Sequence, residues 1–141
     1  MKISTKGRYA LRVMLDLAQH KKEGDYISLK DISVRQELSM KYLEMIMAIM
    51  NRAGLVKSSR GKFGGYQLIK EPEEYTVGSI LKLTEGSISP VVCLDGKKNC
   101  SRAQDCITLP MWKKLDQIID EYLESVTLAD LIDNKIDSYQ I

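Results

Sequence analysis

Residues 28–69 constrain the fold of this chain more tightly than any other stretch. Ser28, with Asp31 three residues later, and Ser39 are both helix-start signals. A serine there offers its hydroxyl oxygen to an amide that the first turn leaves unbonded, and an acidic residue at the third position completes a capping box. The first of these helices runs from about Leu29 to Arg35, leaving only Gln36 to Leu38 as a turn. The second continues to about Ala53, with Gly54 as its stop. Two helices with so short a connection read as a helix-turn-helix. Directly after them, "LVKSS" (55–59) and "YQLI" (66–69) read as strands joined by "RGKFGG" (60–65), a basic, glycine-rich tip. That is the order of a winged helix. The glycines lie between two strands, whereas a phosphate-binding loop joins a strand to a helix, so they are read as hairpin glycines.

The flanking segments are also mainly helical. Ala10, Val13, Met14 and Leu17 make one apolar stripe on a helix over 5–20, which Gly24 and Asp25 end. Thr76 caps a short helix to about Leu83, and 85–92 reads as extended. From Thr108 to Ser125 the pattern is a long amphipathic helix, with Pro110 in its first turn, where proline is tolerated. Met111, Trp112, Leu115, Ile118, Ile119, Tyr122 and Leu123 share its apolar face, more than one small domain covers. A second copy of the chain is the expected partner. Thr127 with Asp130 starts a last helix, and the tail from Asn134 is expected to be loosely held. Met40, Met45, Met47 and Met50 read as core filler rather than as a ligand group. The expected fold is mainly α with a small β wing: a winged helix-turn-helix over 1–72, then a cysteine loop (93–106) and dimerisation helices over 73–141.

Charge divides the chain the same way. Residues 1–70 carry fourteen Lys/Arg against six Asp/Glu, while residues 71–141 carry seven against thirteen. A basic half that contains a helix-turn-helix points to double-stranded DNA. A recognition helix meets base edges with its N-terminal residues, here Ser39, Lys41, Tyr42 and Glu44. Lys41 suits phosphate or guanine acceptors, Tyr42 suits phosphate or a thymine methyl, and Glu44 accepts from a cytosine amino group. On the wing, Arg60 and Lys62 are placed to contact DNA, with Arg60 suited to a narrow minor groove. A dimer would read a roughly palindromic operator. There is no leader pattern at the N-terminus and no apolar run near the ~20 residues of a membrane span. A cytoplasmic protein with no membrane partner is expected.

"CLDGKKNCSRAQDC" (93–106) holds all three cysteines, Cys93, Cys100 and Cys106. Clustered thiols in a reducing compartment point to metal or redox chemistry. Iron–sulfur clusters take thiolate ligands. Zinc sites prefer ligand pairs two to four residues apart and a closed fourth position, which this segment lacks. A thiol switch is a further reading, with Lys97, Lys98 and Arg102 lowering thiol pKa values. Three thiolates leave one coordination position open to Asp95, Asp105, Glu85, a residue from a second copy, or an exogenous thiol. His20, the one histidine, is read as a surface residue. The chain has no C-x-x-C, no catalytic His–Cys pair and no cofactor fingerprint, so an enzyme is not expected.

"STKGRYALRVMLDLA" (4–18), "SMKYLEMI" (39–46), "NRAGLVKSSRGKFGGYQL" (51–68) and "TLADLI" (127–132) resemble the Rrf-two family of bacterial transcriptional regulators over nearly the whole chain. The resemblance implies a winged-helix homodimer with a long C-terminal dimerisation helix, and DNA contacts at Tyr42, Glu44 and Arg60. It is nearest to the cluster-bearing IscR-type branch, and so implies that Cys93, Cys100 and Cys106 ligate an iron–sulfur cluster, 2Fe–2S rather than 4Fe–4S. Leu109 stands where that branch places a histidine ligand, and Arg8 where NsrR-type members place a ligand aspartate, so the fourth ligand is unassigned. The first cysteine spacing is also longer than that branch usually has. The expected function is a regulator whose cluster state shifts the two DNA-reading heads. The alternatives are a cluster-free, CymR-like repressor of cysteine or sulfur metabolism and a thiol-redox switch.

Overall fold

The computed structural model describes residues 2–21, 24–94 and 100–136. Asp95, Lys97 and Lys98, and the tail beyond 136, lie outside the described residues. The elements follow in the order α1 (Thr5–Gln19), α2 (Leu29–Gln36), α3 (Met40–Arg52), β1 (Val56–Ser59), β2 (Gly65–Leu68), α4 (Val77–Glu85), α5 (Leu109–Ser125) and α6 (Leu128–Ile132). The fold is mainly helical, with a two-stranded antiparallel wing and a long helix near the C-terminal end.

Side-chain caps set most of the helix starts. Ser4, Ser28, Ser39, Thr76 and Thr127 each accept from the amide three residues on, at 3.0–3.1 Å. Asp130 returns the bond to the Thr127 amide at 3.0 Å, giving a full capping box. Glu37 ends α2 in the left-handed region (φ 55°), which lets α3 begin three residues later. Across this turn the Ser33 hydroxyl donates to the Leu38 carbonyl and the Leu38 amide donates to that of Ser33.

The main core gathers Ala10, Val13, Met14 and Leu17 of α1, Ile32 of α2, and Leu43, Ile46, Met47 and Met50 of α3 under Val56 and Leu68 of the wing. Each large apolar side chain buried there contributes about 1.5–3 kcal/mol relative to exposure. Two of the four methionines depart from the core expectation: Met40 and Met45 are 43% and 40% exposed. Met40 is the first residue of α3 and projects beyond the core's edge, and Met45 lies on a different helix face from Leu43, Ile46 and Met50.

Tyr75, absent from the expected core, is buried beneath the wing. Its hydroxyl donates to the Leu55 carbonyl at 2.6 Å and accepts from the Ile69 and Lys70 amides at 3.0 and 3.1 Å. The wing also gains a partner the sequence did not reveal: Ile27 and Tyr66 exchange both backbone hydrogen bonds at 2.8 Å.

A second cluster of Val77, Leu81, Ile88 and Val126 joins α4 to Ile119 and Leu123 of α5. The segment expected to be extended is shorter than 85–92, because Glu85 closes α4 and Val92–Leu94 forms a 3₁₀ turn. The long apolar face of α5 is divided. Ile119 and Leu123 pack inward, while Met111, Leu115, Ile118 and Tyr122 are exposed at spacings of four, three and four.

Candidate nucleic-acid interface and thiol site

At the N-terminus of α3, Lys41 and Glu44 are exposed and Tyr42 is half-buried. With Ser39 and Met45 they line one open groove. The Ser39 hydroxyl accepts from the Tyr42 amide at 3.1 Å. The groove has the positive end of the helix dipole beside a lysine, which favours a phosphate. Arg60 and Lys62 are exposed on the wing tip, and Lys62 borders a separate hollow with Asp25, Asp31 and Phe63. The structure therefore gathers Ser39, Lys41, Tyr42 and Glu44 in one groove, which neither wing cation lines.

Behind Tyr42 lies a network that sequence reasoning missed. The Tyr42 ring meets Tyr9 of α1 edge-on, with centroids 5.5 Å apart. The Arg12 guanidinium sits 5.1 Å from the Tyr9 centroid, and its Nε donates to Gln36 Oε1 at 3.2 Å. One turn further along α1, the buried Asp16 carboxylate accepts from Arg35 Nε at 3.0 Å, Arg35 Nη2 at 2.8 Å and Gln36 Nε2 at 2.9 Å. Burial alone pushes the Asp16 carboxyl up. The hydrogen bonds from Arg35 and Gln36 and the charges of Arg35 and His20 outweigh it and hold the group below the usual carboxylate range. The sequence signal was available: a carboxylate between Val13 and Leu17 on the inward side of α1, with a cation at the end of α2. His20 is partly exposed, as expected, but its Nδ1 also lies 2.9 Å from the Asp16 carbonyl oxygen, where it closes α1.

The second site is at the foot of α5. Cys93, Cys100 and Cys106 are all free thiols, and all three line one hollow of about 540 Å³ with Leu94, Gln104, Leu109 and Lys113 among its other walls. Cys106 is fixed by the start of the helix. Its Sγ lies 3.3 Å from Thr108 Oγ1, and its carbonyl accepts from the Leu109 amide. The Thr108 hydroxyl, then the Thr108 and Leu109 amides, hold the Cys106 thiol below the ordinary cysteine range. Thr108 therefore serves the thiol rather than capping α5 with its own side chain.

By donor type the three cysteines suit an iron–sulfur cluster, which takes thiolate ligands: all three line one hollow, and Cys106 is biased toward thiolate. Among the described residues, no three His, Cys, Asp or Glu side chains stand close enough to hold one metal ion. Leu109 offers no donor to the hollow. Glu85, a candidate fourth ligand, is engaged elsewhere: its Oε1 accepts from the Ser4 amide at 2.9 Å and the Ser4 hydroxyl at 2.6 Å.

From the thiol site a line of contacts leads back toward α3. Lys82 of α4 pairs with Asp120 at 2.6 Å and Glu124 at 2.9 Å, both on α5, and Thr76 Oγ1 donates to Glu124 at 2.8 Å. Helix α4 packs on α1, and α1 holds the end of α2 through Asp16.

Comparison with known proteins places these features in a context. A family model described as Rrf2, iron-dependent transcriptional regulator, matches residues 3–134. The HTH-type transcriptional regulator IscR of Serratia proteamaculans is 39% identical over 135 residues, covering 96% of this chain and 81% of that protein. Among solved structures, CymR, the global cysteine regulator of B. subtilis, superposes with a TM-score of 0.78 at 41% identity, covering 95% of this chain and 98% of that one. The IscR of T. potens does so with a TM-score of 0.72 at 41% identity, covering 100% and 93%. Among the described residues, no helix is long and apolar enough to cross a membrane.

Proposed function

The chain belongs to the Rrf2 family of transcriptional regulators, and from that premise we propose that it is a cytoplasmic, homodimeric DNA-binding regulator that senses iron–sulfur cluster status through its three cysteines. The observation that carries the sensing half is the convergence of Cys93, Cys100 and Cys106, every cysteine in the chain, on one hollow at the foot of α5. Cys93, Cys100 and Cys106 are the proposed ligands, of a 2Fe–2S cluster in preference to 4Fe–4S, and the fourth ligand is open. When bound, such a cluster would supply a group sensitive to redox state, iron supply or nitric oxide and would tie the three sulfurs together.

The rest is the work of the chain's own residues. Residues 1–72 form the DNA-reading part, with Ser39, Lys41, Tyr42 and Glu44 in the major groove and Arg60 and Lys62 at the wing. Residues 73–141 hold the thiol site and the α5 face of Met111, Leu115, Ile118 and Tyr122 that a second copy covers, which presents two reading heads to a palindromic operator. Cys106 fixes the first turn of α5, Lys82 ties α5 to α4, and Asp16 ties α1 to the end of α2. A change at the thiols thereby reaches the angle at which α3 is presented, provided the two arrangements differ in DNA affinity.

A second reading is a regulator of cysteine or sulfur metabolism that acts without a cluster, or through thiol oxidation. The likeness to CymR and the lowered Cys106 pKa favour it. Anaerobic purification followed by a visible spectrum and an iron and sulfide count separates the two. The cluster reading expects a coloured protein with iron and sulfide in equal amounts, and loss of the chromophore in Cys100→Ala. A colourless protein that takes up no iron on anaerobic reconstitution leaves the second reading.

A further inference from the structure

Phe63, the chain's single phenylalanine, stands 85% exposed at the tip of the β1–β2 hairpin. Tight turns ordinarily carry Gly, Asn, Asp, Pro or Ser, so a bare aromatic ring at this point has a cost in water that folding does not recover. The backbone is built to hold it outward. The Gly64 amide donates to the Gly61 carbonyl at 3.0 Å, which makes Lys62 and Phe63 the two corner residues of a turn. Gly61 has φ 106°, a region that favours glycine. A Cβ on Gly64 would come within 2.3 Å of the Ser59 carbonyl oxygen, so the chain beyond the ring can pass there only as glycine. One cation stands at the ring and a second is near in the chain: the Lys62 ammonium lies 5.8 Å from the Phe63 centroid, and Arg60, just past the end of β1, is exposed.

A hairpin that presents an exposed apolar ring beside a lysine, two residues beyond an exposed arginine, has the form of a minor-groove wedge; Asp25 and Asp31 line the hollow at the base of the ring. We infer that Phe63 inserts between stacked base pairs at the wing and kinks the duplex, while Arg60 and Lys62 neutralise the phosphates on either side. The inference rests on the DNA-binding reading above and adds to it a base-step contact that the six candidate residues do not make. The ring leaves water for the space between two bases, and Lys62 exchanges the face of Phe63 for a phosphate. Pyrimidine–purine steps unstack most readily, so the wedge creates a sequence preference at a position that no hydrogen bond reads.

The test uses the full chain and a duplex that the wild-type dimer selects from a random-sequence pool. 2-Aminopurine placed at successive positions under the wings reports unstacking, and end-to-end fluorescence transfer reports bending. Wild type is expected to brighten one step in each half-site and to bend the duplex. Phe63→Ala is expected to keep its helical content and dimeric state, to lose both signals, and to bind about 10- to 100-fold more weakly. Phe63→Leu, still an apolar wedge, is expected to retain the kink. Replacing the brightened pyrimidine–purine step with a stiff A-tract should weaken wild type and leave Phe63→Ala unchanged. Bending and brightening by Phe63→Ala equal to wild type would overturn the wedge. A wild-type protein that selects no duplex would instead remove the DNA-binding reading beneath it.

Discussion

Replacing Asp16 by asparagine tests how α2 and α3 are held. The substitution is nearly isosteric and leaves no cavity, but it removes the charge that Arg35 and Gln36 converge on. Three hydrogen bonds are affected, at 2.8–3.0 Å, and bonds to a charged group contribute about 1.5–3 kcal/mol each. Two effects reduce that total. Asparagine keeps one oxygen that can accept, and the cost of taking a carboxylate out of water, several kcal/mol, disappears with the charge. The Arg35 side chain is also one-third exposed, so water takes up part of what it loses. The expected net loss is about 2 kcal/mol, or roughly 5–8 °C in Tm for a chain of this size.

The pH dependence identifies the cause. Asp16 has a folded-state pKa below its unfolded value. Its contribution is therefore complete above about pH 5 and is lost as pH falls through the unfolded and then the folded pKa. The wild-type advantage over Asp16→Asn should hold steady from about pH 5 to 8 and shrink below about pH 4. Calorimetry at fixed protomer concentration measures it, because dimerisation makes Tm concentration-dependent. A difference under about 1 °C at neutral pH, or one that does not shrink in acid, would refute the reasoning.

Three further outcomes are expected. Ile118→Asp places a charge in the middle of the exposed α5 face; sedimentation should show monomer at concentrations where wild type is dimeric, with the fold intact by circular dichroism. Arg60→Ala should weaken operator binding and lower the slope of log K against log salt by about one per protomer, measured by titration at several salt concentrations. Gly65→Ala would place a Cβ 2.1 Å from the Ile27 carbonyl oxygen; amide exchange at Ile27 and Tyr66 should quicken and DNA affinity fall, while iron content stays at the wild-type level.

The helix starts were legible because a capping serine or threonine is a local device: Ser28, Ser39, Thr76 and Thr127 each act within three residues of themselves. The wing was legible for the same reason, since "RGKFGG" can pass the chain through a tight turn between two short strands. What the sequence did not reveal depends on residues far apart in the chain. Tyr75 is buried because Leu55, Ile69 and Lys70 converge on its hydroxyl, and no local pattern marks that. Met40 and Met45 carry the same side chain as Met47 and Met50 and differ only in which way α3 turns them. The thiols were conspicuous by their count, but their meeting at one hollow depends on a 3₁₀ turn at Val92–Leu94 and on the first turn of α5. The Asp16 network combines both cases, with a local oddity on an apolar helix face whose meaning needs Arg35 beside it.

The proposed sensor stands on one coupling: the state of the three-cysteine site governs how the dimer grips DNA. The direct measurement is the affinity of one selected duplex for the anaerobically reconstituted protein and for the same protein stripped by a chelator, at a single salt concentration. That coupling predicts affinities that differ by about 5- to 150-fold, the range of typical coupling between two sites, and that become equal in Cys100→Ala. Equal affinities of loaded and stripped protein on every duplex the wild type selects would contradict it.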